Sequence, residues 1–217
     1  MAFAVFENRS DAGRKLAAAL MEYSGLRDHV VVGLARGGVI VAKEIAMALN
    51  LPLEFISVRK IGAPYAPELA LGAIAGDVVY LNRSLMERAG ASEKELEHFI
   101  ELEKREAARR EEVYRGERKP YPLKKQTVIL VDDGIATGAT LQASVLYLRK
   151  QNVRSIIVAV PVATASAVAD FQKEVDRVVC LLAPPIFLGV SQFYLEFLPV
   201  SDEEVCNALK STFPKVP

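Results

Sequence analysis

Short apolar runs alternate with helical patterns along most of the chain. The runs, which are typical of strands buried on both faces of a sheet, lie at residues 30–34, 53–58, 128–131, 155–160 and 175–182. Apolar residues at helical spacing occupy the segments between and around them, at residues 10–23, 39–49, 138–150, 165–173 and 201–210. Strands that alternate with helices predict an α/β fold with a doubly wound, mostly parallel sheet flanked by helices. The functional site of such a sheet lies at the carboxyl ends of its strands.

Two neighbouring segments depart from this alternation. Residues 59–70 contain Gly62, Pro64 and Pro67, and such a cluster of breakers predicts a long loop. Residues 71–82 then alternate between apolar and polar positions, which predicts one or two short strands.

A charged segment is predicted as a helical insertion at about residues 92–119. Of the 27 residues at 93–119, nine are acidic and eight are basic. Pairs in the favourable i,i+4 order, such as Glu101 and Arg105, support a helix. Its narrow apolar stripe of Leu96, Phe99 and Ile100 indicates a solvated helix, and a partner-binding helix is the alternative.

Composition and charge narrow the class of protein. The 217 residues are 51% apolar and carry 27 basic and 27 acidic side chains, which predicts one globular domain over residues 1–217. A net charge of zero argues against binding to nucleic acid. The chain has no apolar run long enough to span a membrane and no pattern of a signal peptide, so we expect a cytoplasmic protein that does not bind membranes. Cys180 and Cys206 are too few for a disulfide framework or a zinc site.

The most informative stretch is residues 128–140, which read VILVDDGIATGAT. A strand ends in Asp132 and Asp133, and a loop of small residues then opens a helix. Backbone N–H groups of residues 136–140, the positive end of the helix and the hydroxyls of Thr137 and Thr140 converge there on one point. The stretch therefore predicts a nest for a phosphate monoester. It is not a Walker A loop, because no lysine precedes Thr140.

The two adjacent carboxylates restrict the ligand further. They would repel a bare phosphate, but they suit a ligand that also offers hydroxyl groups or brings a divalent cation. A ribose 5-phosphate meets this description.

The stretch resembles the signature of the type I phosphoribosyltransferase family, which is an apolar strand, two acidic residues and a T-G-x-T phosphate loop. The resemblance implies this family's fold, with a small hood over the site. It also implies transfer of the 5-phosphoribosyl group from phosphoribosyl pyrophosphate to a nitrogenous acceptor, a nucleobase first of all, with release of pyrophosphate. Nucleotide salvage is the metabolic role that the resemblance suggests.

Two further stretches are similar to parts of this family. Residues 34–38, LARGG, resemble the family's pyrophosphate loop, which usually contains a cis peptide bond, and Arg36 can chelate a diphosphate. Residues 59–64, RKIGAP, are similar to a stretch of adenine phosphoribosyltransferases that approaches the pyrophosphate and covers the site. Glu68 is a candidate acid in the same segment, and an exposed loop side chain is the alternative.

The resemblance assigns catalytic roles to Arg36, Lys60, Asp132 and Asp133. It implies donor binding by these four residues and by Ala35, Gly37, Arg59, Gly134, Ala136, Thr137, Gly138, Ala139 and Thr140. Mg²⁺ is the implied cofactor; it would be bound with the pyrophosphate, with Asp132 and Asp133 as candidate ligands.

The acceptor is less constrained than the donor. Enzymes of the family that act on 6-oxopurines carry an aspartate at the position of Ala136, so a hypoxanthine–guanine activity is not expected. The resemblance places a hood at residues 184–198, where Phe187 or Tyr194 could stack on a planar acceptor. Packing of these rings in the core is the alternative.

The same fold is compatible with two activities other than transfer. A regulator that senses phosphoribosyl pyrophosphate without catalysis is the alternative function. Synthesis of phosphoribosyl pyrophosphate is disfavoured because it requires two such domains. The resemblance is compatible with a homodimer.

Overall fold

The computed structural model describes residues 5–63 and 66–211, without the side chains of residues 67 and 68, and seven strands lie in this part of the chain. They are β1 (His29–Ala35), β2 (Leu53–Ala63), β3 (Ala66–Ala75), β4 (Val78–Leu81), β5 (Thr127–Val131), β6 (Ser155–Val162) and β7 (Arg177–Leu182). All seven form one sheet in the order β4-β3-β2-β1-β5-β6-β7. Four neighbouring pairs are parallel: β2 with β1, β1 with β5, β5 with β6, and β6 with β7. The pairs of β2 with β3 and of β3 with β4 are antiparallel.

Helices cover both faces of this sheet. They are α1 (Arg9–Ala18), α2 (Gly37–Leu49), α3 (Arg83–Ala89), α4 (Glu93–Arg115), α5 (Ala139–Lys150), α6 (Ala165–Phe171) and α7 (Asp202–Ser211). Short 3-10 helices span Met21–Tyr23 and Val190–Phe193. The predicted α/β class and the mostly parallel sheet are confirmed. No helix of the described residues is long and apolar enough to cross a membrane.

The sheet separates two hydrophobic cores because successive strand residues point to opposite faces. Val31 of β1 and Ile129 of β5 belong to the core that contains residues of α1, α2 and α7. Val30 and Val128 belong to the other core, with residues of α5 and α6. Both central strands are buried along their whole length. This burial explains why they read as continuous apolar runs.

The predicted loop at residues 59–70 is wrong. β2 continues to Ala63 and pairs in antiparallel register with β3, which begins at Ala66. The register shifts on either side of Gly62, so the glycine is accommodated as a bulge within the strand and does not end it. The segment is a β-hairpin, and Pro64 lies outside the described residues.

The charged helix α4 is more closely integrated than its composition indicates. Ser92 and Glu95 form a capping box that starts it. The expected stripe continues beyond Leu96 to Ala107 and Tyr114, both of which are buried. Tyr114 packs edge-on against Phe55 of β2 with 5.8 Å between the ring centroids. The helix therefore packs against the sheet along one face and is solvated only on the other.

Candidate functional site

A cleft of about 600 Å³ lies at the carboxyl edge of the sheet. Three stretches of chain form most of its wall: the loop after β1, the end of β2 and the loop after β5. The structure brings together every residue that the sequence assigned to donor binding except Ala139, which is buried as the first residue of α5. The cleft is lined by Ala35, Arg36, Gly37, Arg59, Lys60, Asp132, Asp133, Gly134, Ala136, Thr137, Gly138 and Thr140, together with residues that the sequence did not assign.

The loop after β1 lies directly against the acidic pair. The peptide bond between Ala35 and Arg36 is cis, as the resemblance implied. A Cβ atom at Gly37 would lie 2.1 Å from Oδ2 of Asp133, and one at Gly38 would lie 2.6 Å from the carbonyl oxygen of Val131. Position 38 therefore requires glycine, because backbone atoms at the end of β5 leave no room for a side chain, whereas a side chain at Gly37 would displace the side chains of Asp133 and Arg9.

The loop after β5 presents backbone donors to the cleft. Gly138 precedes α5 with a φ of 77°, a left-handed conformation that favours glycine. The first turn of α5 follows, and its N–H groups have no acceptor within the helix. Thr137 is exposed at the cleft and Thr140 is half-buried. This geometry can bind an anion at the positive end of the helix.

The two carboxylates at the end of β5 have different surroundings. Oδ1 of Asp132 accepts a hydrogen bond from the backbone N–H of Asp133 at 2.9 Å. Oδ2 of Asp133 accepts one from Nε of Arg9 at 2.7 Å. The Tyr194 hydroxyl donates to the backbone carbonyl of Asp133 at 2.6 Å, so Asp133 is held by both its side chain and its main chain.

Burial, followed by the neighbouring charge of Asp133, raises the pKa of Asp132 well above its usual value of 3.8. The N–H group of Asp133 and the positive charges of Lys60 and Arg9 oppose this rise only in part. A buried carboxyl group that resists ionisation is suited to a ligand that brings positive charge or hydroxyl donors.

We expect the Asp132→Asn variant to be more stable than the wild-type protein at pH 7, by on the order of 1 kcal/mol. The folded state retains the Asp132 proton to a higher pH than the unfolded state, whose pKa is near 3.8. Wild-type stability therefore falls as the pH rises between these two pKa values, and asparagine removes that loss. Urea unfolding at several pH values, in the presence of a chelator, measures the difference.

An exposed carboxylate provides the control for this prediction. Asp77 pairs with Lys150 at the surface, and this pairing lowers its pKa, so Asp77→Asn should give no such stabilisation. Parallel stability curves for the wild-type protein and Asp132→Asn from pH 4 to 8 would contradict the assignment.

Positive side chains also line the cleft. Lys60 is exposed, and Nε of Arg59 donates to Oε2 of Glu103 at 2.5 Å. Nη1 of Arg36 lies 3.9 Å from Oδ1 of Asp202 at the start of α7. These cations can attract a polyanionic ligand. Within the described residues, no group of three or more His, Cys, Asp or Glu side chains could hold a metal ion unaided.

The aromatic residues predicted to stack on an acceptor lie elsewhere. Tyr194 is 5% exposed and its ring packs against Phe6 and Phe197, with centroid distances of 5.3 and 4.9 Å. Phe187 packs against Phe193 at 5.4 Å. Tyr194 belongs to the small core beneath the hood, and Phe187 packs against that core while remaining partly exposed. Neither ring lines the cleft, and these contacts favour the alternative of core packing.

Outside the three stretches that form most of the wall, five lining residues were not assigned from the sequence. They are Arg9 of α1, Phe99 and Glu103 of α4, and Val190 and Phe197 of the hood. The i,i+4 spacing of Phe99 and Glu103 places them on one face of α4, which is a detectable signal. Arg9 is 124 residues from its partner Asp133, and no local pattern connects them. The candidate Glu68 lies in β3, and its side chain is outside the described part of the structure.

A parallel sheet that gathers a glycine loop, an acidic pair and the N-terminus of a helix at one edge defines an α/β protein whose cleft is suited to a phosphorylated ligand. Residues 6–198 match the model of the phosphoribosyl transferase domain, so the chain belongs to the phosphoribosyl transferase family. This match confirms the resemblance seen in residues 128–140.

Relatives of known name and structure are consistent with this family. The chain is 42% identical over 207 residues to a protein of Mycobacterium tuberculosis described as a candidate phosphoribosyl transferase, which occurs in two strains. The alignment covers 93% of this chain but 45% of that relative, so the chain spans less than half the length of the curated relatives it matches. A crystal structure from Thermus thermophilus is 38% identical, with a TM-score of 0.78 and coverage of 96% of this chain and 99% of that one.

Proposed function

We propose that the chain transfers the 5-phosphoribosyl group of phosphoribosyl pyrophosphate to a nitrogenous acceptor, most simply a nucleobase, and releases pyrophosphate. One observation carries the proposal. The acidic pair, the backbone donors of residues 136–140 and the loop containing Arg36 meet in one cleft, as a ligand with a phosphate, a hydroxylated sugar and a diphosphate requires.

Each part of this donor has a matching wall of the cleft. The first turn of α5 and the hydroxyls of Thr137 and Thr140 bind the 5-phosphate. Arg36 and Lys60 bind the diphosphate. The ribose hydroxyls donate to the carboxylates at the end of β5.

The residues present fit Mg²⁺ as the cofactor. Mg²⁺ in phosphate-transferring sites is held by one or two carboxylates together with the phosphate oxygens of the substrate, and not by an all-protein cage. Asp132 and Asp133 supply such a pair, and burial, followed by the neighbouring charge of Asp133, raises the pKa of Asp132, a rise that a bound cation would oppose. When bound, the ion neutralises charge on the diphosphate.

The protein promotes this reaction mainly by positioning the reactants and by stabilising the charges that develop. The bond from C1 of the ribose to the pyrophosphate oxygen breaks, and its electron pair leaves with pyrophosphate while the acceptor nitrogen bonds to C1. The proton that this nitrogen loses passes to the departing pyrophosphate or to water. Arg36 and Lys60 stabilise the departing charge, and the two carboxylates favour the positive charge that develops on the ribose ring. Holding both reactants in line lowers the entropic part of the barrier.

The proposed acceptor follows from the residue at position 136, which is an alanine. Ala136 is exposed at the cleft and offers no carboxylate to a purine. A 6-oxopurine is therefore disfavoured, and a neutral 6-amino base is our first candidate. Its recognition would rest on backbone groups, because a pocket discriminates strongly only where it forms hydrogen bonds.

We expect calorimetry to detect binding of phosphoribosyl pyrophosphate in the presence of Mg²⁺ at millimolar ligand or below, because parts of the cleft wall match all three parts of the donor. A pyrophosphate-release assay that offers each nucleobase and several amines then identifies the acceptor. Absence of binding by the folded protein would overturn the proposal. Release with hypoxanthine or guanine but not with adenine would overturn the argument from Ala136. Binding without release or donor hydrolysis would favour a sensor.

A further inference from the structure

Arg9 lines the cleft, but the proposed function gives it no role. It is the first residue of α1, and its side chain is only 12% exposed. Its Nε donates to Oδ2 of Asp133 at 2.7 Å, and its Nη1 donates to the carbonyl oxygen of Leu198 at 2.8 Å. Its guanidinium carbon lies 3.8 Å from the centroid of the Phe197 ring. One side chain thus joins α1, the acidic pair and the hood.

The position of Asp133 depends on these contacts. Its carboxylate lies beneath Gly37, where a Cβ atom would be 2.1 Å from Oδ2 and 2.8 Å from Nε of Arg9. Because Oδ2 is engaged by Arg9, a ligand would be met by the other carboxylate oxygen. The Tyr194 hydroxyl fixes the backbone of Asp133 from the side of the hood. The acid is therefore presented to the cleft in one orientation.

We propose that Arg9 is a positioning residue of the donor site, which orients the carboxylate of Asp133 and attaches the hood to it. The inference rests on the proposed function for its catalytic consequence, whereas the contacts themselves do not depend on a ligand. Phe197 of the hood also lines the cleft. Arg9 therefore acts through Asp133 on the ribose and, if the hood covers the acceptor as the family resemblance implies, through Phe197 on the acceptor.

Arginine is required here for its shape as well as its charge. Its planar guanidinium donates in two directions and stacks on an aromatic ring at the same time. Lysine would keep the positive charge beside Asp133, but it cannot make all three contacts. The substitution Arg9→Lys therefore separates positioning from charge.

The first experiment compares Arg9→Lys with Arg14→Lys, the same change on the same helix. Arg14 is 57% exposed on its side chain, and its nearest carboxylates lie 4.0 Å away. We expect Arg9→Lys to lower kcat by about tenfold or more and to raise the KM of the acceptor, and Arg14→Lys to change neither. Ethylguanidinium should restore part of the kcat of Arg9→Ala, which a loss through misfolding would not allow. Unchanged kcat and KM in Arg9→Lys and Arg9→Ala would overturn the proposal.

The second experiment needs no ligand. In ¹⁵N-labelled wild-type protein, the Nε–Hε proton of Arg9 should exchange slowly with water, and Asp133→Asn should move or remove its signal. Exchange as fast as that of Arg14 would overturn the positioning role. A wild-type protein that binds no phosphoribosyl pyrophosphate would instead overturn the proposed function, and the Nε–Hε signal would still decide whether Arg9 holds Asp133.

Discussion

Asp132→Asn is expected to lower the rate of phosphoribosyl transfer by about a hundred- to a thousandfold while the protein remains folded, which is the usual loss when one preorganised electrostatic group is removed from an active site. Asparagine keeps the shape of the side chain and an oxygen that can accept from the N–H of Asp133. It removes the negative charge that the developing positive ribose requires. Pyrophosphate release under saturating donor and Mg²⁺ measures the effect.

The two acids are expected to differ when each is changed alone. Asp132→Asn relieves a buried carboxylate, so activity falls and stability rises. Asp133→Asn leaves the guanidinium of Arg9, which is 12% exposed, without its carboxylate, so activity and stability both fall. Asp77→Asn at the surface is the control for both. Near-normal turnover by Asp132→Asn would show that this carboxylate is not catalytic.

The central sheet and the donor loops could be predicted because their signals are local. β1 and β5 are buried on both faces, which forces continuous apolar runs into the sequence. The turn after β5 needs small residues and a left-handed glycine at position 138, so its sequence is also constrained residue by residue. Such constraints act between neighbours in the chain, and they can be read without the fold.

The rest of the cleft depends on contacts between distant residues. The composition of the segment around Gly62 predicts a loop, but pairing with β3 holds this glycine within a strand. The charge content of α4 indicates a solvated helix with only a narrow apolar stripe, but Tyr114 near its end is buried and donates a hydrogen bond to Asp202 of α7 at 2.6 Å. The sequence does not distinguish Arg9 from a surface arginine, because its partner Asp133 is distant along the chain. In each of these cases the local structure is determined by tertiary packing and not by local propensity.

Among the glycines of the loop after β1, Gly37→Ala is expected to weaken donor binding by at least about tenfold with a modest loss of stability. The new Cβ would meet only the ends of two side chains, Oδ2 of Asp133 at 2.1 Å and Nε of Arg9 at 2.8 Å. Side-chain ends can move aside at small energetic cost, but their movement separates the pair and turns the carboxylate away from the ribose. The positioning of reacting groups is sensitive to shifts of about 1 Å. Calorimetric titration with phosphoribosyl pyrophosphate and Mg²⁺ measures the loss.

Two further substitutions serve as controls for this prediction: Gly38→Ala, with a large expected effect on stability, and Gly189→Ala, with none. A Cβ at Gly38 would lie 2.6 Å from the carbonyl oxygen of Val131 and 3.0 Å from Cα of Asp132, and backbone atoms of a central strand cannot move aside. This substitution should therefore lower the free energy of unfolding by about 3 kcal/mol. Gly189 in the hood has an extended φ of 171° and open space around its Cβ position, so Gly189→Ala should change neither stability nor binding. If Gly37→Ala bound the donor as tightly as Gly189→Ala, the contact between the loop and Asp133 would not matter for the donor, and the carboxylate would have to act from another position.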